Sequence, residues 1–311
     1  MDVLRKYSLL GSLFLLVWGT FSCVPDGDSE AYSEAQEEIT GDRDRGSDGS
    51  DGGCITIYRA RSVKVAKGFV ELHPANGKFR GDILVLPPWG QPRDAWCHRS
   101  NFCKLASEKG FRVIMPEMGK SIYIDKAYAE TREDWRSTPS YSWIRDSLIP
   151  TLQKEYCMLD PKGANFVIGL SSGSRGVIKL LSDNPKLFMA GAALSGDYDP
   201  SQLIGDNIYN GFLGSYEEFP ERWETSDNLL TRADQIKVPL YLGHGTEDPM
   251  VPYTQTRSLY DALQQSAPNV QVKLNLAAGL GESFAYWNTE IENLFEFFDD
   301  TQANRPETPI N

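Results

Sequence analysis

The sequence predicts an α/β protein with a mostly parallel central sheet and helices on both faces. Two observations carry this. From Cys54 onward, short apolar runs of strand length alternate with segments of helical period. The run Asp82-Ile83-Leu84-Val85-Leu86 is apolar at every position after its first, as a strand buried on both faces must be. Such alternation is the pattern of one layered domain, and no internal repeat interrupts it.

The elements follow in order. Ile55-Thr56-Ile57-Tyr58 and Gly68-Phe69-Val70-Glu71-Leu72 read as leading strands. Residues 82–86 are the first buried strand, and Asp94 to Lys109 is helical. Phe111-Arg112-Val113-Ile114-Met115 is a strand stopped by Pro116, and Ser142 to Tyr156 a helix. Asn165-Phe166-Val167-Ile168-Gly169 is a strand, Ser172 to Leu181 a helix, and Phe188 to Leu194 a strand. Val238 to Leu242 and Val270 to Leu274 are strands on either side of a helix from Thr254 to Gln265. A helix from Phe284 to Phe298 closes the domain, which spans 54–299 and leaves 300–311 as a flexible tail. Between Asp197 and Asp234 the alternation breaks. Tyr198, Tyr209, Phe212, Tyr216, Phe219 and Trp223 lie there among Gly, Asp and Glu. This insertion, 197–234, follows a strand whose carboxyl end belongs beside a ligand site, so it reads as a lid-like wall or as a small aromatic subcore.

The first residues do not read as globular. Arg5 and Lys6 precede an apolar run from Leu9 to Trp18 and then Thr20-Phe21-Ser22-Cys23. That is the order of an export signal, and the run is shorter than the roughly 20 residues of a membrane span. Residues 1–23 resemble a bacterial lipoprotein signal in which Cys23 is acylated, although Thr20 and Ser22 depart from its usual residues. The expected location is therefore the cell envelope, with a lipid anchor on the membrane. Residues 24–53 hold ten acidic residues against Arg43 and Arg45, with almost no large apolar side chain. Such a stretch cannot bury enough surface to offset its ordering entropy and reads as a disordered tether. It carries much of the net charge of −12. No basic stripe occurs, which excludes nucleic acid as an expected partner.

Cys54, Cys97, Cys103 and Cys157 remain, and export permits disulfides among them. Cys97 and Cys103 are six apart in one expected helix, on different faces, so they are not expected to pair with each other. No spacing is that of a metal site, and no metal or cofactor is expected.

Gly169-Leu170-Ser171-Ser172-Gly173 is a G-x-S-x-G elbow in the context the motif needs, after an apolar strand and before a helix. Ser171 is the candidate nucleophile. The helix that follows supplies backbone N–H groups and dipole to a developing oxyanion. Further on, Val238 to Pro252 reads VPLYLGHGTEDPMVP. The elbow and this acidic loop together resemble the α/β-hydrolase superfamily, closest to its esterase, dienelactone-hydrolase and prolyl-oligopeptidase-like branch, over roughly residues 54–299. The resemblance implies an α/β-hydrolase fold and a serine hydrolase acting on a small-molecule ester or acyl substrate. It implies Asp248 as the triad acid and His244 as a structural residue. It also implies that Leu86-Pro87-Pro88-Trp89-Gly90 lends a backbone N–H to the oxyanion hole. Pro88 has none, so Trp89 or Gly90 must serve, with Ser172 as the other donor.

The third member of a triad follows the acid in this fold. The chain has three histidines, His73, His98 and His244, and none follows Asp248. After the last strand it reads Ala277-Ala278-Gly279-Leu280-Gly281-Glu282-Ser283, with Leu280 where the resemblance implies histidine. His98 and His244 are the alternative base candidates, and Glu282 a more remote one. A nucleophile without a base loses on the order of 10⁶ in turnover. Two readings follow: a serine hydrolase whose base is not a recognisable histidine, or a pseudo-hydrolase that binds a ligand or protein at the envelope.

Overall fold

The computed structural model describes residues 53–304. The signal-like segment with Cys23, nearly all of the acidic stretch 24–53, and residues 305–311 of the expected tail lie outside the described residues.

Eight strands form one sheet in the order β1-β2-β4-β3-β5-β6-β7-β8. β1 (Arg61–Val65) and β2 (Gly68–His73) are an antiparallel hairpin, and β2 pairs antiparallel with β4 (Phe111–Pro116). β3 (Gly81–Leu86), β4, β5 (Asn165–Leu170), β6 (Ala190–Leu194), β7 (Leu240–Gly245) and β8 (Val272–Ala277) run parallel. The expected first strand, Ile55–Tyr58, is not in the sheet. Val63 and Val65 supply the apolar face of β1, whereas Ile55 and Tyr58 are exposed. The Ile55 N–H instead donates to the Glu155 carbonyl at 2.7 Å.

β3 and β5 are buried at every position. Leu84, Leu86 and Val167 face one core, and Ile83, Val85, Phe166 and Ile168 face the other. The second core is covered by α1 (Ala95–Arg99), α2 (Phe102–Glu108) and the later α9 (Ile291–Ala303), through Trp96, Phe102, Leu294 and Phe298. The first core is covered by α3 (Tyr141–Trp143), α4 (Ile149–Tyr156), α5 (Ser172–Asp183) and α7 (Thr254–Ser266). A wide turn, Ile144–Leu148, links α3 to α4, and the Ile149 N–H reaches back five residues to the Ile144 carbonyl. Pro150 causes this, because it has no N–H to continue the four-residue ladder.

The inserted region holds α6 (Asn207–Leu213). Tyr209, Phe212 and Trp223 pack with Ile122, Ile124 and Trp135 into a third, smaller cluster, with Tyr216 at its margin. The aromatic insertion is thus a subcore of its own. α8 (Phe284–Thr289) precedes α9, which runs to Ala303 and so enters the segment expected to be a flexible tail. Among the described residues, no helix is long and apolar enough to cross a membrane.

Two disulfides form, Cys54–Cys157 and Cys97–Cys103. The second overturns the expectation that these two cysteines stay apart. The helix expected over 94–109 breaks at Ser100, whose backbone is fully extended at φ −155°, ψ 179°. The Ser100 hydroxyl donates to the Trp96 carbonyl at 2.6 Å and accepts from the Phe102 N–H, stabilising the break. The chain doubles back and brings the two Cα atoms to 5.1 Å. His73 lies against this pair, its ring within 4.8 Å of both sulfurs, a grouping that sequence spacing did not reveal.

The two bridges close loops of very different length, with separations of 103 and 6 residues. Loop-closure entropy assigns about 4–5 kcal/mol to the long loop and about 2 kcal/mol to the short one. Denaturant unfolding of the Cys54→Ala/Cys157→Ala and Cys97→Ala/Cys103→Ala variants should show the first pair losing about twice as much stability. Equal losses would mean that native packing, not chain entropy, sets the contribution of each bridge.

Candidate active site

Ser171 sits between β5 and α5 at the C-terminal edge of the sheet, with φ 50° and ψ −122°. A non-glycine residue in that region costs about 1–3 kcal/mol, which the surroundings must offset. The Ser171 N–H donates to the Leu194 carbonyl at 2.8 Å. The Ser174 hydroxyl bonds the Gly169 and Leu194 carbonyls at 3.0 and 2.9 Å. Both flanking glycines are sterically required. A Cβ on Gly169 would strike the Gly173 backbone, and one on Gly173 would strike the Leu86 carbonyl.

The loop after β3 lies beside the elbow. The Gly90 N–H donates to the Gly119 carbonyl at 2.9 Å, so it is already committed. Pro87 and Pro88 have no N–H, so the Trp89 N–H is the donor left to this loop between β3 and Gly90. The Trp89 ring is held edge-on against Trp135 and Phe212, with centroids at 5.0 and 5.7 Å. Ser172 is the first residue of α5, so its N–H is one of those left without a partner inside the helix.

Asp248 follows β7, and its side chain is buried. One carboxylate oxygen accepts from the Met250 and Val251 N–H groups at 2.9 and 2.8 Å. The other lies 3.1 Å from His244 Nε2. That nitrogen also faces the Val251 carbonyl at 3.0 Å, while Nδ1 meets the Thr256 hydroxyl at 2.7 Å. Two acceptors around Nε2 assign the proton there, leaving Nδ1 to accept from Thr256. With both nitrogens occupied, His244 is a brace for the acid loop and not a base for Ser171.

His98 is exposed on α1 and pairs with Asp94 at 3.0 Å. His73 lies on β2, separated from β5 by β4 and β3. None of the three histidines bonds Ser171 among the described residues. Leu280, where the resemblance implies histidine, has no imidazole to offer. Its side chain packs against the core under α9, and its carbonyl accepts the Glu247 N–H at 2.9 Å. The ionisable side chain that Ser171 influences is Glu282. Burial, together with the nearby negative charges of Asp248 and Asp197, pushes the Glu282 carboxyl up to about 7, against the opposing pull of Ser171. Asp197, on the loop after β6, is buried; one of its oxygens bonds the Tyr209 hydroxyl, and the other has no partner among the described residues. The sequence did carry one signal for Glu282. It is the sole titratable residue between β8 and α8, immediately before Ser283, which caps α8 by accepting the Tyr286 N–H at 3.2 Å.

Arg175, one turn beyond the elbow, is fully buried. It donates to the carbonyls of Ile122, Asp197 and Asp227 at 3.0, 3.2 and 2.9 Å, and to the Tyr209 hydroxyl at 2.9 Å. One guanidinium therefore ties the elbow helix to the aromatic subcore and to the Asp197 loop.

Comparison with known proteins agrees with this architecture. The model of the family described as Putative esterase matches residues 100–305. The chain belongs to that family. The fluorophosphonate-binding serine hydrolase F of Staphylococcus aureus superposes with a TM-score of 0.61 at 17% identity, covering 77% of this chain and 98% of that one. An S-formylglutathione hydrolase from Agrobacterium tumefaciens gives 0.62 at 14% identity, covering 78% and 94%. These likenesses show that this esterase-family member has the α/β-hydrolase fold. Dipeptidyl aminopeptidase BIII of Pseudoxanthomonas mexicana is 28% identical over 130 residues, or 38% of this chain. The match spans only 18% of that curated relative's length.

The raised Glu282 carboxyl couples the fold to pH. The native state favours its protonated form, so that contribution is complete below about pH 4.5 and is lost as pH rises through about 7. Glu282→Gln, neutral throughout, should match the native protein's stability at pH 4.5 and exceed it at pH 8, by about 3 kcal/mol at most. Denaturant midpoints at the two pH values measure this. A variant offset that does not change with pH would show that the carboxyl is not desolvated.

Proposed function

We propose that this protein is an exported serine hydrolase of carboxylic esters, with Ser171 as nucleophile and the Trp89 and Ser172 N–H groups as oxyanion donors. One observation carries the reading: a strained, buried serine stands at a helix N-terminus between two glycines whose places no side chain can take. That is the geometry of a nucleophile elbow. Asp248 lies just after β7, two strands from the elbow, with its side chain held by two backbone donors. Family membership supports the ester-hydrolase class. The substrate is a small-molecule ester or acyl compound entering at the edge framed by Trp89 and the aromatic subcore. The basic start, the apolar run and Cys23 support export and a lipid anchor on the cell envelope.

The second reading, a pseudo-hydrolase that retains the pocket for binding, is favoured by one specific fact: no imidazole meets Ser171. The two readings part on a chemical test. A fluorophosphonate probe should label the native chain but not Ser171→Ala, and turnover of p-nitrophenyl acetate should fall at least about 10³-fold in that variant. A chain that shows neither Ser171-dependent labelling nor turnover is the pseudo-hydrolase. For the anchor, Cys23→Ala should shift the protein from the membrane fraction to the soluble fraction. Unchanged membrane association would remove the lipoprotein assignment.

A further inference from the structure

We propose that His73, Cys97 and Cys103 form a binding site for a soft cation, Cu(I), which opens when a dithiol reductant cleaves the Cys97–Cys103 bridge. The site involves β2 and the α1–α2 turn, away from Ser171 after β5, and is independent of the ester-hydrolase reading.

The sheet and one turn between helices bring the donors together. One ring nitrogen of His73 and the two cysteine sulfurs all lie within 4.8 Å of one another. β2 pairs with β4 so that Glu71 stands opposite Met115 and His73 opposite Val113. Paired residues share a face of the sheet, and Val113 and Met115 belong to the core that α1 and α2 cover. His73 therefore looks toward the helices that carry the cysteines. Met115 adds a thioether on the same face, its Sδ 3.3 Å from Cys97 Sγ.

The turn that holds Cys97 and Cys103 does not depend on the bridge. Ser100 bonds the Trp96 carbonyl and the Phe102 N–H across it. The Trp96 and Phe102 rings stack with centroids 4.1 Å apart. Asn288 of α8 accepts from the Trp96 indole N–H at 3.0 Å and donates to the Arg99 carbonyl at 2.9 Å. Opening the S–S bond thus leaves both sulfurs beside His73, and a preorganised site loses little entropy on binding.

The donors select the ion. Thiolate and thioether ligands favour Cu(I) and Zn(II), and the thioether tips the set toward Cu(I). The reducing condition that supplies the thiols also keeps copper in its +1 state. Glu71 Oε1 is 3.8 Å from His73 Nε2 but is not among the grouped donors, and its other oxygen faces Arg93 at 3.4 Å. Metal–donor bonds of about 2.0–2.3 Å set neighbouring donors about 3.5–3.8 Å apart, so the imidazole has about 1 Å or less to travel. Burial lowers the His73 pKa, against the raising charges of Glu71 and Asp94, and neutral imidazole is the form that binds a metal. His73 and Cys97 are half-buried and Cys103 is buried, which leaves the first two as the side of entry.

The steps balance. A dithiol gives two electrons and two hydrogens to the Cys97–Cys103 bond and closes to its own disulfide, leaving two cysteine thiols. Cu(I) then binds both sulfurs and the His73 nitrogen, and the two thiol protons pass to solvent.

The test uses the full-length protein. It is reduced with tris(2-carboxyethyl)phosphine, freed of reductant without air, and titrated with Cu(I) against the chromophore bicinchoninate. The reduced native chain should withdraw one equivalent of Cu(I) more than reduced Cys97→Ser/Cys103→Ser, which keeps the other cysteines. The untreated native chain should lack that equivalent. His73→Ala, which keeps every cysteine, should weaken the binding at least about 100-fold, the upper end of what losing a merely supporting group costs. X-ray absorption at the copper edge should show a nitrogen neighbour in the native chain that His73→Ala lacks. Native-like thermal unfolding of each variant confirms folding. Equal uptake by the reduced native chain and the double-serine variant, or unchanged affinity in His73→Ala, overturns the site. Comparing reduced with untreated native chain needs no variant, and equal uptake by the two also overturns it. Zn(II) that displaces Cu(I) at equal concentration would overturn the choice of ion.

Discussion

The site depends on one close approach: Gly173, in the first turn of α5, against the carbonyl of Leu86 at the end of β3. Nothing larger than hydrogen fits between them. That contact holds the elbow helix down on the sheet and places the loop after β3 beside Ser171. It keeps Ser171 at positive φ at the head of α5. The unfavourable backbone is held by bonds on both sides, from the Ser171 N–H to Leu194 and from the Ser174 hydroxyl to Gly169 and Leu194. Arg175 extends the same rigidity outward. Because a buried guanidinium needs its donors satisfied, the carbonyls of Ile122 and Asp227 are tied through it to the elbow helix.

Much of this was legible in the sequence because it depends on short-range constraints. The elbow could be read to the residue, since a tight strand–turn–helix needs Gly169 and Gly173 wherever it occurs. The buried strands were clear from unbroken apolar runs. Strand ends near β7 and β8 fell a few residues short, because His244 and Asn275 are polar yet lie in the ladder. What could not be read depends on where the chain turns back. Ser100 looked like an ordinary helical residue, but its hydroxyl bonds break the helix and join Cys97 to Cys103. The course of the turn after β8 is set by the pairing of its backbone with the turn after β7, a contact between segments about thirty residues apart that no local pattern reveals.

The Cys54–Cys157 bridge sits where the acidic stretch meets the folded domain. It joins the chain just before the hairpin to the residue that ends α4, and the Ile55 N–H bonds the Glu155 carbonyl alongside it. A pull on the chain ahead of residue 54 is therefore not passed first to β1, the edge strand that would peel most easily. It crosses a covalent bond into α4 and the core beneath it. The bridge makes the hairpin a mechanical bystander, and any load on the amino-terminal segment bypasses the edge of the sheet.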